Sequence, residues 1–301
     1  MYQPLLNSFL SHDYKCFFSS YIHLEAPHQQ NEFAYQNASS GREEIVFFIF
    51  HLDGSEVVRY EPQVHCLGAG ESIIFNAREE LGKLGVSDFQ GSILGIVHPI
   101  DLTSEDLTQK DLVCLWSSPV KKSICHIGLG GSTRLNVTGR KEKQTYLMYC
   151  PAVLSSETEK TMVIFFNHSS EAGYADTAKV VPVLHNLHGA TVRGPELSAN
   201  PYGTFLIDVD QVFGEEGKKL LDQTGGRGSL TVHHRGHTFA TLFFHSDKKT
   251  GDIIIGTHTN PPVGVINNYH IVHYWYNYLA SKIPGLYLFW LVKDAIRPWL
   301  R

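Results

Sequence analysis

The chain has 301 residues, 43% apolar, 12% aromatic and 18% charged, enough apolar material for a real core in one large domain or two of about 150 residues. A formal charge of -5, with no clustered Lys or Arg, excludes a protein whose main affinity is for a nucleic-acid backbone. Five widely spaced cysteines (Cys16, Cys66, Cys114, Cys125 and Cys150), never in Cys-x-x-Cys, argue against a disulfide framework or a thiolate zinc knuckle.

The N-terminus, Met1-Tyr2-Gln3-Pro4, shows no basic start, apolar core and small-residue cleavage site, so a soluble, cytoplasmic protein is expected. After a polar lead-in, residues 14–24 carry Cys16, Phe17, Phe18, Tyr21, Ile22 and Leu24, a mix suited to a first strand. Residues 33–35 follow, then 44–52, where Ile45-Val46-Phe47-Phe48-Ile49-Phe50 runs unbroken between Gly41 and the Asp53-Gly54 turn. An apolar run that short, flanked by turn residues, reads as a strand buried on both faces. Residues 57–60, 64–67 and 72–76 continue as short strands, 77–84 offers one or two helical turns, and 91–99 returns to strand. The polar, acidic stretch 100–111 interrupts the pattern and places a domain boundary before Lys122.

Residues 124–135 contain Gly128-Leu129-Gly130-Gly131-Ser132, which lacks the Lys-Ser/Thr pair and helix of a phosphate loop and reads as a glycine turn between strands. Residues 146–150, 162–166, 180–184, 203–209, 229–234, 238–244 and 252–257 form a second set of strands. Short strands with turn signals every ten residues or so indicate a sandwich or barrel rather than alternating βα units. From residue 266, Tyr269, Val272, Tyr276 and Leu279, then Phe289, Val292, Ile296 and Trp299, recur at roughly helical spacing around Pro284-Gly285. This aromatic-rich helical tail is too short in its apolar run to span a bilayer. It suits a cap on the sandwich, a homodimer contact or a membrane-surface helix, the last because Lys282, Lys293, Arg297 and Arg301 accompany Tyr287, Trp290 and Trp299.

One phrase occurs twice. Phe33-Ala34-Tyr35-Gln36-Asn37-Ala38-Ser39-Ser40 is echoed by Val163-Ile164-Phe165-Phe166-Asn167-His168-Ser169-Ser170, and Leu52-Asp53-Gly54 and Gly70 find echoes at Leu187-His188-Gly189 and Gly203. The offsets drift as loop lengths would, which implies an internal duplication. Asn37 and Asn167 then read as strand-ending turns whose side chains bond nearby backbone, not as a paired functional site.

Histidine is the residue type with chemical promise, because there are 17 and the second half gains His168, His185, His188 and a cluster at His233-His234-Arg235-Gly236-His237. The candidate ligand-binding residues are His233, His234, His237, His245 and His258, with His233 and His237 the candidates for a metal. Geometry limits them. Consecutive strand residues face oppositely, and eight residues of straight strand separate His237 from His245 by roughly 27 Å. His258 can join His245 only if the turn between their strands sets a suitable register. No Gly-x-Ser-x-Gly elbow is present, His185-x-x-His188 lacks the zincin glutamate, and Glu43-Glu44, Glu79-Glu80 and Glu215-Glu216 read as solvated pairs.

These observations predict an all-β chain: two tandem antiparallel β-sandwich domains related by internal duplication, residues 1–118 and 119–265, and a helical tail, 266–301. The leading function is a binding or interaction protein for a small polar ligand, sited in the second sandwich near its histidines. The alternatives are an enzyme using His, Asp or Glu as acid and base or a His-bound metal, and a scaffold held at a membrane surface by 266–301. No cofactor is indicated.

Overall fold

The computed structural model describes residues 2–258 except 13–14, 25–29, 102–110, 118–121, 129, 133–144, 170–171, 236–239 and 252. The predicted tail therefore lies outside the described residues. The chain is mostly β, in four antiparallel sheets with few helices.

The first half runs α1 (Gln3–Ser11), β1 (Lys15–His23), β2 (Gln30–Gln36), β3 (Glu43–His51), β4 (Val64–Leu67), β5 (Ser72–Asn76), α2 (Ala77–Lys83), β6 (Gln90–Pro99), β7 (Asp111–Ser117), β8 (Lys122–Gly128) and β9 (Gly130–Ser132). Its sheets have the orders β4-β3-β6-β1-β9 and β5-β2-β7-β8. The second half runs β10 (Thr145–Leu154), β11 (Glu159–Phe166), β12 (Ala178–Asn186), β13 (Thr191–Arg193), β14 (Leu197–Ala199), β15 (Thr204–Asp208), α3 (Val209–Asp222), β16 (Arg227–Arg235), β17 (Ala240–Asp247) and β18 (Ile253–His258). Here the orders are β10-β16-β12-β13, with β14 also on β12, and β15-β11-β17-β18. The orders β5-β2-β7-β8 and β15-β11-β17-β18 run alike, as do β4-β3-β6-β1 and β13-β12-β16-β10, whereas β9 has no described counterpart on β10.

The continuous apolar run of β3 has the predicted cause. Phe47 points into the first sandwich and stacks on Phe75 of β5 at 4.5 Å, while Phe48 and Phe50 point the other way, onto Tyr2 beside α1. Past α1 that outer face is covered by the second sandwich. Tyr21 of β1 meets Phe244 of β17, and Phe50 stacks on Tyr202 at 5.0 Å with planes 12° apart. Period-two alternation explains the rest: Met162, Ile164, Phe166, Leu242 and Phe244 join the first core, and Val163, Phe165 and Phe243 fill the second. The sheets so stack in layers within one compact unit.

Asn37 and Asn167 do the same work in each half. Asn37 donates Nδ2 to the carbonyls of Gly41, Leu67 and Gly68; Asn167 donates to those of Asp176, Ala199 and Asn200. One buried amide, sharing its two hydrogens, thus reaches three backbone acceptors where no strand can. We predict that Asn37→Ala and Asn167→Ala each lower the urea unfolding free energy by about 3 kcal/mol, the cost of orphaning buried acceptors; a loss under about 0.5 kcal/mol would show the bonds to be dispensable.

Other equivalences were not visible in the sequence. Gly91 and Gly228 both lie where an added Cβ would meet the carbonyl oxygen of the adjacent strand, Phe50 at 2.1 Å and His185 at 2.3 Å. Asn76 and Asp208 both cap the helix that follows. Gly70 corresponds not to Gly203 but to Tyr202: their backbone N–H groups bond Asn37 O and Asn167 O, and both have positive φ, 78° and 63°.

Several expectations need correction. β8 and β9, expected in the second domain by the boundary at 118/119, pair with β7 and β1 of the first sandwich. Residues 57–60 form no strand, and only Glu56 bridges to Phe50. The polar lead-in holds α1, and the second half holds the 14-residue α3 where no helix was read. Glu43-Glu44 is not a solvated pair, because Glu43 is wholly buried and accepts from Tyr35 Oη at 2.6 Å. Among the described residues no helix is long and apolar enough to cross a membrane.

Candidate functional site

The candidate histidines do not converge. His233 and His234 occupy successive positions of β16, paired with Leu147 and Tyr146 of β10, and so alternate faces. His237 lies outside the described residues. His245 pairs with Ile255 and His258 with Leu242, a separation of three along β17, which puts the two on opposite faces of their sheet.

His245 is a core histidine. It is buried, its Nδ1 lies 2.9 Å from Thr161 Oγ1 on β11, and Thr161 exchanges two bonds with the Leu154 backbone. Burial holds its imidazole toward the neutral form, with Glu159 opposing. His185 is similar, its Nε2 being 2.7 Å from Thr231 Oγ1, whereas His188 sits in the turn closed by Asn186. Among the described residues no group of three or more His, Cys, Asp or Glu is arranged to hold a metal ion.

A polar cleft of about 560 Å³ lies at the other end of the second sandwich, lined by Ser155, Ser156, Glu157, Asp210, Gly214, Glu215, Lys218, Asp222 and Lys248. Pairing of Leu154 with Arg227, and of Leu147 and Tyr146 with His233 and His234, places this end six to seven strand residues, roughly 20–24 Å, from the β16 histidines.

Three chain segments build the cleft. Asp210 lies on the first helical segment of α3, and Lys218 and Asp222, four residues apart, lie on the second, beside the buried Val209, Phe213, Gly217, Leu220 and Leu221. Asp208 starts the helix by accepting from the Asp210 and Gln211 N–H groups. Gly214 then breaks it, with φ 52° and ψ -143°, a conformation that glycine alone adopts cheaply. The β10–β11 turn supplies Ser155, whose Oγ donates to Asp210 Oδ1 at 2.5 Å. From the β17–β18 turn comes Lys248, whose Nζ lies 2.6 Å from Asp210 Oδ2 and donates to Ser156 O.

The floor is thus a closed network in which Asp210 is engaged through both oxygens. Around it Glu157, Glu215, Lys218 and Asp222 are exposed and offer charged groups to a ligand. No aromatic side chain lines the cleft, so a ligand held there would be read by hydrogen bonds and charge rather than by stacking. The site was illegible in the sequence because three separate segments build it, with Ser155 55 residues and Lys248 38 residues from Asp210.

No family model matches this chain, and no curated protein matches it. Among solved structures it is similar to a beta-glucuronidase of Bacteroides uniformis, at 10% identity over 84% of this chain and 27% of that one, TM-score 0.19. It is similar also to a glycosyl hydrolase family 2 member from Bacteroides cellulosilyticus, at 8% identity over 81% and 28%, TM-score 0.20. Red sea bream transglutaminase gives 8% identity over 82% and 28%, TM-score 0.14. The chain spans about a quarter of the length of each, and at those scores the likeness carries no argument about what it binds or does.

Proposed function

We propose that the protein is a binding protein for a small polar ligand, made by duplication of one sandwich, with its site in the α3 cleft of the second copy. The duplication reading is supported by the shared strand orders, the paired Asn37 and Asn167 networks and the paired Gly91 and Gly228. The observation that carries the binding reading is where the halves differ. Where the first has the seven-residue α2, the second has α3, two helical segments joined at Gly214 over Val209–Asp222, and these wall the cleft. A wall of charged and hydroxyl side chains over a fixed floor suits a water-soluble ligand of metabolite size.

The test is calorimetric titration of the full chain with glucose, L-glutamate, L-arginine and spermidine, which sample neutral, anionic and cationic polar ligands. One class is expected to bind, and reversing the rim charges with Glu215→Lys and Lys218→Glu should change its affinity at least about tenfold, the scale of one lost charged contact. Binding that ignores both substitutions would remove the cleft as the site, and no binding by any class would remove the reading.

A further inference from the structure

At the C-terminal end of α1 two imidazoles lie face to face. His12, the cap residue of the helix, stacks on His98 of β6 with ring centroids 3.5 Å apart and planes within 9°. The stack sits on the outer face of the first sandwich, where Glu44 of β3 lies directly across from His98. Lys15 of β1 donates Nζ to Leu10 O and, at 3.0 Å, to His12 O, so an ammonium already holds the last carbonyls of the helix.

The charged groups around His12 among the described residues come from three strands: His98 from β6, Glu44 from β3 and Lys15 from β1. On its own helix the ring neighbour is Phe9, edge-on at 6.2 Å. Burial disfavours the imidazolium first, His98 second and Lys15 further, with Glu44 opposing.

Two neutral imidazoles attract in such a stack, whereas two imidazolium rings 3.5 Å apart repel, with one carboxylate to offset them. What the stack holds is the helix. α1 has nine residues, too few to stand as a helix alone, and it lays Leu6, Phe9 and Leu10 on the core. Asn7 Oδ1 of the same helix accepts from Gly173 N–H of the second sandwich at 2.8 Å.

We propose that the His12–His98 stack makes the docking of α1 pH-sensitive: protonation raises the frequency with which the helix opens from the sheet while both sandwiches stay folded. The burial of Leu6, Phe9 and Leu10 keeps the closed form dominant, so acid changes how often the helix opens and does not detach it.

Hydrogen exchange of the full chain at pH 7.5 and 5.5, corrected for intrinsic amide rates, tests this. Protection of residues 3–11 is expected to fall about tenfold, the linkage of one proton over about one pH unit below the ordinary imidazole pKa, while β3 keeps its protection. His98→Phe retains a stacking ring without a titrating nitrogen and should abolish the fall; His12→Phe is the second variant should the first misfold. Flat protection of residues 3–11, a parallel loss in β3, or a fall that persists in the variants would overturn the proposal.

Discussion

Acidifying the protein from pH 6.5 to about pH 3 is expected to cost roughly 5 kcal/mol of stability through His168 alone. His168 is fully buried between the sandwiches, and its Nε2 lies 2.9 Å from Ser19 Oγ on β1. Burial pushes its imidazole from the ordinary 6.5 down to about 3. The folded state therefore favours the neutral ring, while the unfolded chain takes up a proton below pH 6.5. Above that value the contribution is fully present; as pH falls from 6.5 toward 3 it is lost, at about 1.4 kcal/mol per pH unit. Urea unfolding of the parent and His168→Gln at pH 7.0 and 4.5 isolates the effect from carboxylates that titrate in both. The parent should lose roughly 2–3 kcal/mol more than the variant over that interval. Equal losses would mean that the ring is not the acid-sensitive group of the junction.

Replacing Tyr202 by glycine sets two effects of opposite sign against each other. Tyr202 has φ 63°, a region that costs a side-chain-bearing residue about 1–2 kcal/mol and glycine nothing. Relief of that strain favours the variant. The ring, however, stacks on Phe50 of the first sandwich, meets Tyr174 edge-on and is only 5% exposed. Removing a buried aromatic ring costs about 3–5 kcal/mol, so packing wins and Tyr202→Gly should lose about 2–3 kcal/mol in urea unfolding. Gly70→Ala is the matched control, because that site has the same backbone bond and open space around it, and should cost about 1 kcal/mol. A neutral or stabilising Tyr202→Gly would mean that the stack does not hold the sandwiches together.

Much of the fold was legible where one local rule governs. The unbroken run of β3 announced a strand covered on both faces, and Asn37 and Asn167 announced strand-ending turns by their chemistry. Legibility failed where tertiary context overrides propensity. Leu6, Phe9 and Leu10 carry helical spacing, but α1 has no side-chain cap and forms on a sheet assembled from residues far along the chain. In α3, Gly214 breaks the helix and Gly217 lets it approach Leu184, and two glycines so close weaken the helical signal of the segment. The proposed cleft shares with the sequence reading its place in the second sandwich but none of its candidate residues. The histidines drew attention by type, whereas His245 is explained by a threonine 84 residues earlier, a distance no motif encodes.

The outer face of β3 and β6 also has a history in time. Its cover from the second sandwich includes Leu242 and Phe244 of β17, about 110 residues after β9 completes its sheet. A ribosome adding roughly 5–20 residues per second leaves that aromatic surface without its final partner for on the order of 5–20 s. α1 precedes all of these strands in the chain, and it lies on the same face. A helix made ahead of both sandwiches can therefore shield nascent apolar surface before the second one exists, a chaperone-like service performed within the polypeptide itself.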